Sequence, residues 1–102
     1  MTTLTGTLPD GLDFSGQVHR DYKLRQLTLG EMAEVEEDET VRGNDLRRAA
    51  AILSRSLVSL GDIPKDSITP ALLLGLSEVD AEELISARGR LARRGAPAGK
   101  EK

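Results

Sequence analysis

The residue types that could carry out chemistry in this chain are few and widely spaced. His19 is the only histidine. A metal site needs several nitrogen, sulfur or carboxylate ligands, and only Asp21 lies near His19 in sequence. The absence of cysteine excludes disulfides, thiolate metal sites and cysteine nucleophiles. No serine lies in a Gly-x-Ser-x-Gly elbow, and no glycine-rich phosphate loop is present. We therefore expect a protein that is not an enzyme and binds no cofactor or metal, with His19 on the surface of a strand.

The charged residues are polarised along the chain, although the net charge is only −3. Residues 31–39 contain six acidic side chains and no basic one, whereas residues 88–102 contain six basic side chains and one acidic one. A net negative charge disfavours general nucleic-acid affinity, which depends on neutralising phosphates. The acidic run is either a solvated helix face or a charged docking surface. The arginine-rich end is a solvated helix terminus, a protein-docking surface or, least favoured, a nucleic-acid contact.

Length and composition indicate one small domain with an aliphatic core. The chain has 102 residues, of which 38% are hydrophobic, and its aromatic residues are Phe14 and Tyr22. The core must therefore be built from leucine, isoleucine, valine and alanine, which leaves a modest margin of stability. No apolar run approaches the ~20 residues of a membrane span, and the N-terminus lacks the pattern of a signal peptide. We expect a cytoplasmic protein without a membrane partner.

Residues 1–27 have the alternation typical of strands, and we expect them to form a short N-terminal β-hairpin. Threonine alternates with leucine over residues 2–8, and a second alternating run spans residues 18–25. Pro9-Asp10-Gly11 supplies turn chemistry after the first run. The prediction is two short strands with a wide connection. Such a ribbon needs a helix or a partner to pack against, because it is marginal in water alone.

Two helices are predicted in the middle of the chain. Thr28 and Glu31 fit a capping box for a short acidic helix over residues 29–39. Leucines and alanines at steps of three or four predict a longer helix over residues 45–60. Asn44 or Asp45 is the expected N-cap of that second helix.

Two further helices are predicted before the end of the chain. Thr69-Pro70 starts a short helix that Gly75-Leu76-Ser77 interrupts. The last helix is predicted over residues 78–94, and residues 95–102 are expected to form a disordered tail. The fold class is therefore α+β, mainly α: an N-terminal hairpin in residues 1–27, then a small bundle of about four helices, two long and two short, in residues 28–94.

The candidate docking surface combines the acidic helix with an apolar edge. The apolar faces of residues 46–60 and 72–91 are predicted to pack together and to leave that edge uncovered. The arginines of the second helix (Arg47, Arg48 and Arg55) are expected to pair with the acidic helix or with solvent. The candidate partner-binding residues are Glu34, Glu36, Glu37, Leu53, Leu57, Leu60, Leu84 and Leu91.

Four short segments follow one another in a recognisable order. They are LPDG at residues 8–11, YKLRQLTLGE at residues 22–31, LSRSLVSLG at residues 53–61 and ITPALLLGLSEVDAEEL at residues 68–84. Over roughly residues 8–90, this order of a strand, an arginine, a leucine–threonine pair and an acidic helix resembles the phage tail assembly chaperones of the Mu-like, contractile-tail type.

The resemblance implies a non-catalytic assembly factor. Such a factor would bind the tape measure protein and the tail tube subunit while a contractile tail is built, and it would have no small-molecule substrate. A phage tail and a phage-like contractile injection system fit equally well. Two other functions stay open: a small structural subunit of the finished tail or baseplate and, less favoured, a nucleic-acid-associated regulator. A homo-oligomer is compatible with each of these.

Overall fold

An N-terminal β-hairpin precedes the helices of the protein. The computed structural model describes residues 2–95. Its strands and helices are, in order, β1 (Thr3–Phe14), β2 (Gln17–Arg25), α1 (Leu29–Glu36), α2 (Asp45–Ser56), β3 (Leu57–Leu60), α3 (Pro70–Leu73) and α4 (Glu78–Gly95). Among these residues two helices are long and two are short, so the predicted α+β fold class is confirmed.

The hairpin is longer, and its turn tighter, than the sequence pattern indicates. β1 and β2 pair in antiparallel register up to a connection formed by Ser15 and Gly16, whose φ angles are 55° and 79°. A two-residue loop with positive φ follows the natural twist of paired strands. Pro9-Asp10-Gly11 is a bulge inside β1, where the register with β2 shifts between Thr7 and Leu12. The predicted wide connection between two short strands is therefore wrong.

The third strand, β3, is the largest departure from the prediction. α2 ends at Ser56, because the backbone at Leu57 is extended (φ −71°, ψ 114°) and pairs with β2. The helix predicted over residues 45–60 is therefore too long. Leucines three residues apart fit one face of a helix, whereas in a regular strand they point to opposite faces. Leu57 and Leu60 both reach the core here because the pairing of β2 with β3 contains a register shift. The sheet order is β1-β2-β3.

No loop separates α2 from β3, and Lys65 stabilises this junction. The Lys65 ammonium group donates hydrogen bonds to the carbonyl oxygens of Ser54 (3.1 Å) and Leu57. Carbonyl groups at a helix end lack helical partners, and a cation there also suits the helix dipole. Burial, together with the nearby charge of Arg25, lowers the pKa of Lys65.

One hydrophobic core joins the hairpin to the helices. α4 lies across the inner face of the sheet, and the leucines of both elements are almost completely buried between them. The core members from the sheet and α4 are Leu4, Leu8, Leu12, Tyr22, Leu24, Leu57, Leu60, Leu84, Ala87 and Leu91. The marginal ribbon is thus stabilised by packing against a helix, as expected for a small sheet.

The start of α1 is set by the predicted capping box, which is confirmed. Thr28 Oγ1 accepts a hydrogen bond from the Glu31 N–H (3.1 Å), and the Glu31 carboxylate accepts one from the Thr28 N–H (2.9 Å). Arg25, at the end of β2, donates two hydrogen bonds to the same carboxylate (3.0 and 2.6 Å). The Arg25 guanidinium and the Thr28 amide together lower the pKa of Glu31 to about 2.

α1 is shorter than predicted and packs on α2 through a second small apolar cluster. The helix predicted over residues 29–39 ends at Glu36. Asp38 starts a separate 3-10 turn there by accepting a hydrogen bond from the Thr40 N–H (2.9 Å), and such local side-chain bonds compete with continuation of a helix. The apolar cluster is formed by Val35, Val41 and Ala51, with Ile52 at its edge.

The C-terminal end of the chain bears on two further expectations. The predicted tail, residues 95–102, lies outside the described residues except for Gly95, which ends α4. Within residues 2–95, no helix is both long enough and apolar enough to cross a membrane.

Gly6→Ala is expected to destabilise the hairpin. Gly6 lies opposite Tyr22, and a Cβ at Gly6 would lie 2.3 Å from Tyr22 Oη. Because the Tyr22 ring is buried, we expect the free energy of unfolding to fall by about 1–3 kcal/mol in urea denaturation. Gly30→Ala is the matched control, since the nearest atom lies 3.8 Å away at that helical position. Equal stabilities of the two variants would contradict the close packing of Tyr22 on Gly6.

Glu31→Gln is expected to change the pH dependence of stability. The folded-state pKa of Glu31 (about 2) lies below its ordinary value of 4.5. Its pairing therefore contributes stability above about pH 4.5, and this contribution is lost as the pH falls toward 2. Urea denaturation across this range should show a less stable variant at neutral pH and a shallower loss of stability in acid. Glu37→Gln, at the exposed C-cap of α1, should retain the wild-type profile. A wild-type profile for Glu31→Gln would contradict the role of this ion pair.

Candidate functional site: an apolar groove beside α4

His19 is buried within the sheet, so its prediction as a surface histidine is wrong. Its Nδ1 accepts a hydrogen bond from the backbone N–H of Asp62 (3.1 Å). Gly61 lies against the ring with a φ of 55°, and a Cβ there would lie 2.3 Å from Nδ1, so the close approach requires glycine. His19 therefore ties β2 to the turn after β3.

Asp80 joins the N-terminus of α4 to the bulge in β1. Its buried carboxylate accepts hydrogen bonds from the backbone N–H groups of Asp10 (2.9 Å) and Gly11 (2.8 Å). Ser77 caps the helix as predicted, because its Oγ accepts a hydrogen bond from the Asp80 N–H (3.1 Å), and it also donates one to Asp10 Oδ2 (2.8 Å). The side chain of Asp80 thus binds the bulge.

Tyr22 and Glu83 form a second polar link between the sheet and α4. Tyr22 Oη donates a hydrogen bond to Glu83 Oε2 (2.5 Å), and Arg90 lies 3.5 Å from the same oxygen. Burial, and next the hydrogen bond to Glu83, raise the pKa of Tyr22 to about 12. The phenol is therefore protonated at neutral pH and acts as a hydrogen-bond donor.

These polar side chains hold elements together, and they do not converge on one point. Within residues 2–95, no group of three or more histidine, cysteine or acidic side chains is placed to hold a metal ion. His19 and Asp80 each accept hydrogen bonds from backbone amides. Each of them therefore has a role in connecting elements of the fold, and the surfaces of the molecule are the next candidates for a functional site.

The acidic helix α1 is paired with the arginines of α2. Arg55 lies 2.6 Å from Glu34, and Arg48 lies 2.8 Å from Glu36 and 2.8 Å from Asp45. The expected pairing of this arginine face with the acidic helix is confirmed for these residues. Two of the candidate docking carboxylates, Glu34 and Glu36, are thus engaged within the molecule by exposed pairs of the kind that contribute little stability.

The remaining acidic candidate and the five leucines have different environments. Glu37 is exposed and forms no ion pair in the part of the chain that the structure describes. The candidate leucines are buried in the core and are not an exposed docking face: they are Leu53, Leu57, Leu60, Leu84 and Leu91. Leu57 and Leu60 belong to the sheet itself, and Leu84 and Leu91 are buried between α4 and the sheet. Leu53, on α2, is a buried residue at the base of the groove beside α4.

A groove runs between α4 and the helices α2 and α3. Leu46, Leu74 and Ile85 line it and expose 75%, 48% and 47% of their surface, respectively. This first part of the groove has a volume of about 160 Å³ and also includes Ala49, Ala50, Leu53, Leu73, Leu76 and Ala81. None of these three exposed side chains is among the candidate partner-binding residues, and of those candidates only the buried Leu53 lines this part.

The groove continues along α4 in two further parts. The second part, of about 270 Å³, lies between Ile52 and Arg88, and the third, of about 290 Å³, is lined by Leu27, Met32 and Ala92. Ile85 is shared by the first two parts, and Arg88 by the second and third. We call these three adjoining parts together, from Leu46 to Ala92, the α4 groove.

Two adjacent stripes on α4 explain why the groove exists. Asp80, Leu84, Ala87 and Leu91 face the sheet and are buried. The neighbouring stripe, Ala81, Ile85, Arg88 and Ala92, has the same helical spacing and lines the groove. α4 packs chiefly on β1 and approaches α2 much less, so this second stripe is left uncovered.

The outer face of the sheet is a second, more polar surface. A shallow concavity of about 780 Å³ lies over it. Thr7 Oγ1 donates a hydrogen bond to Asp21 Oδ1 across this face (3.3 Å), and Thr5, Lys23 and Ser59 line it as well. It is larger than the α4 groove but has fewer of the apolar side chains that a stable interface requires.

Comparison with known proteins finds no similarity on which to build: no protein-family model, no curated protein and no solved structure matches the chain. The function must therefore be argued from the geometry of the surfaces and from the sequence resemblance.

Sequence reasoning missed the residues that line the α4 groove most openly. Leu74 and Ile85 fall within predicted apolar helices but are not among the candidate partner-binding residues, and Arg88 belongs to the basic end of the chain. One signal could have indicated Leu74. Leu72-Leu73-Leu74 is a run of three leucines in one helical turn, which cannot all face the same core.

Asp80→Ala is expected to loosen the contact between α4 and the sheet. It would leave the N–H groups of Asp10 and Gly11 without their carboxylate partner. Hydrogen bonds to charged groups are worth more than neutral ones, so we expect a loss of about 2–4 kcal/mol in the free energy of unfolding. Thermal and urea denaturation measure it, with Glu82→Ala as an exposed control on the same helix. Similar losses in both variants would show that Asp80 has no special role.

Proposed function

We propose that the protein is a non-catalytic assembly factor that holds a helical segment of another protein during construction of a contractile tail. The partners are the tape measure protein and, in addition, the tail tube subunit. The particle is a phage or a phage-like injection system, and the factor acts in the bacterial cytoplasm, where such parts are synthesised. The sequence resemblance supports the identity of these partners.

The observation that carries the proposal is the exposed aliphatic lining of the α4 groove. Leu46, Leu74 and Ile85 expose about half of their surface or more, and they lie together around one groove. Exposed aliphatic side chains that gather around one groove make it a candidate site of protein interaction. An amphipathic helix that lays its apolar face in such a groove is a recurrent mode of recognition.

The polar interior supports a binding role over a chemical one. Asp80 and Glu83 connect the sheet to α4, and His19 connects β2 to the turn after β3. Each of these side chains is positioned by hydrogen bonds that stabilise the fold. The first part of the α4 groove is lined by aliphatic side chains alone, and the second part adds Asp45, Arg48 and Arg88.

Ile85→Glu tests the groove as the docking site of the tape measure protein. The change places a carboxylate in the middle of an apolar surface, where a docked helix would desolvate it, and we expect the complex to be lost. Val79→Glu is the matched control, because Val79 is an exposed aliphatic residue of α4 (53% exposed) that lies outside the groove. Each variant is co-expressed with the tape measure protein and analysed by gel filtration at low salt, and circular dichroism verifies its helix content.

The wild-type protein and Val79→Glu should elute with the tape measure protein, whereas Ile85→Glu should elute alone. Separate elution of the wild-type protein would refute the assembly role, and co-elution of Ile85→Glu would refute the groove as the docking site.

Mass spectrometry of finished particles distinguishes an assembly factor from a structural subunit. An assembly factor is absent from them, whereas a structural subunit of the tail or baseplate is present.

A further inference from the structure

We infer that the α4 groove selects an amphipathic helix that carries a carboxylate beside its aliphatic stripe, and that Arg88 binds this carboxylate. The inference rests on the proposed function, because it takes a protein helix as the ligand. It adds the charge that the helix must carry and the residue that recognises it.

Arg88 is the charge that the groove leaves available. It is half-buried and lies one turn beyond Ile85 on the groove-lining stripe of α4. The two other arginines that line the groove are already neutralised, Arg48 by Glu36 and Asp45, and Arg25 by Glu31. Across residues 2–95, Arg88 forms no ion pair.

The dimensions of the groove fit a short helix. The groove-lining stripe extends along α4 from Ala81 to Ala92, and a rise of 1.5 Å per residue gives a length of about 16 Å, or three turns. An occupant of that length presents four positions to the groove, spaced as i, i+3 or i+4, i+7 and i+11. Three aliphatic anchors and one polar position therefore describe the matching face.

The position of Arg88 determines where the carboxylate must lie. Leu46 and Leu74 line the groove on one side of Arg88, and Leu27 and Met32 line it on the other. The acidic residue of the occupant is therefore central, with aliphatic residues about one turn before and after it. The planar guanidinium can donate two hydrogen bonds to one carboxylate, and its partial removal from water strengthens that pairing.

The same lining disfavours a nucleic acid as the occupant. A phosphate backbone would place charges against the aliphatic walls formed by Leu46, Leu74 and Ile85. A helix with a single carboxylate places one charge at Arg88 and aliphatic side chains against these walls, so it avoids this penalty.

The test uses the full-length protein and three synthetic peptides that differ only in charge. Each peptide is about 14 residues long, roughly four helical turns, and has the same leucine stripe. The central position beside the stripe is glutamate, glutamine or lysine. Fluorescence anisotropy measures the affinities, and amide NMR shifts of the protein identify the surface that each peptide contacts.

The glutamate peptide should bind roughly tenfold more tightly than the lysine peptide, because an attractive and a repulsive pairing with one arginine each change affinity a few-fold. The shifts should be largest around Ala49 and Ile85. Arg88→Glu should reverse the order of affinities. Arg42→Glu, which makes the same change at an exposed arginine outside the groove, should keep the wild-type order.

Equal affinities of the three peptides, no binding of any of them, or NMR shifts confined to another surface would each overturn the inference. Concentration-dependent self-association that Ile85→Glu abolishes would also overturn it, because a second copy of the chain would then occupy the groove.

The outcome of the co-expression experiment is independent of the outcome of the peptide experiment. A tape measure complex without a charge preference would retain the assembly role and remove the inference. A charge preference without that complex would retain the inference about the groove and remove the assembly role.

Discussion

The carboxylate of Asp80 connects the sheet to α4, and the surface of the molecule depends on where that connection places the helix. Asp80 binds two amides of a bulge, where β1 changes register and the strand offers backbone donors that regular pairing with β2 would not leave free. With α4 held at this point, Leu84 and Leu91 cover the sheet. The adjacent stripe, with Ile85 and Arg88, is turned toward α2 and lines a groove. Burial of a carboxylate usually destabilises a small domain, but each oxygen of Asp80 accepts a hydrogen bond here. Asp80 thereby orients the helix whose exposed stripe lines the groove.

Local signals predicted most of the helical starts, because a cap depends only on residues three or four positions apart. The Thr28–Glu31 box and the Thr69–Pro70 start both occur as the sequence indicates, as does the cap at Asn44. The third strand could not be predicted in this way. Leu57 and Leu60 continue the helical spacing of α2, and only the free edge of β2, distant in sequence, gives their backbone groups better partners. The hairpin turn was missed because a proline-containing segment gave the stronger turn signal and was absorbed as a bulge.

The candidate site was predicted as a kind of surface but not as a set of residues. Periodicity identifies an apolar face, yet it does not say which of two adjacent faces the sheet will cover. Leu53 and Leu84 were therefore assigned to docking and lie in the core. The acidic candidates Glu34 and Glu36 pair with arginines from the next helix, so these two charges are balanced by α2 and not by the basic end of the chain. Within residues 2–95, Arg88 lines the groove without an ion pair, and its position beside Ile85 in the groove is a spatial relationship that a count of charges along the sequence does not contain.

The direct passage from α2 into β3 also has a mechanical consequence. A wall of the groove is continuous with a strand of the sheet, and Lys65 binds carbonyl groups on both sides of the junction. Tilting α2 would therefore shear β3 along β2 and break hydrogen bonds in the sheet. We therefore expect the groove to keep its width when a ligand binds, so that the proposed helix would meet a surface that changes little. Recognition of this type would avoid the entropic penalty of ordering the receptor, and discrimination between ligands would depend on their own side chains.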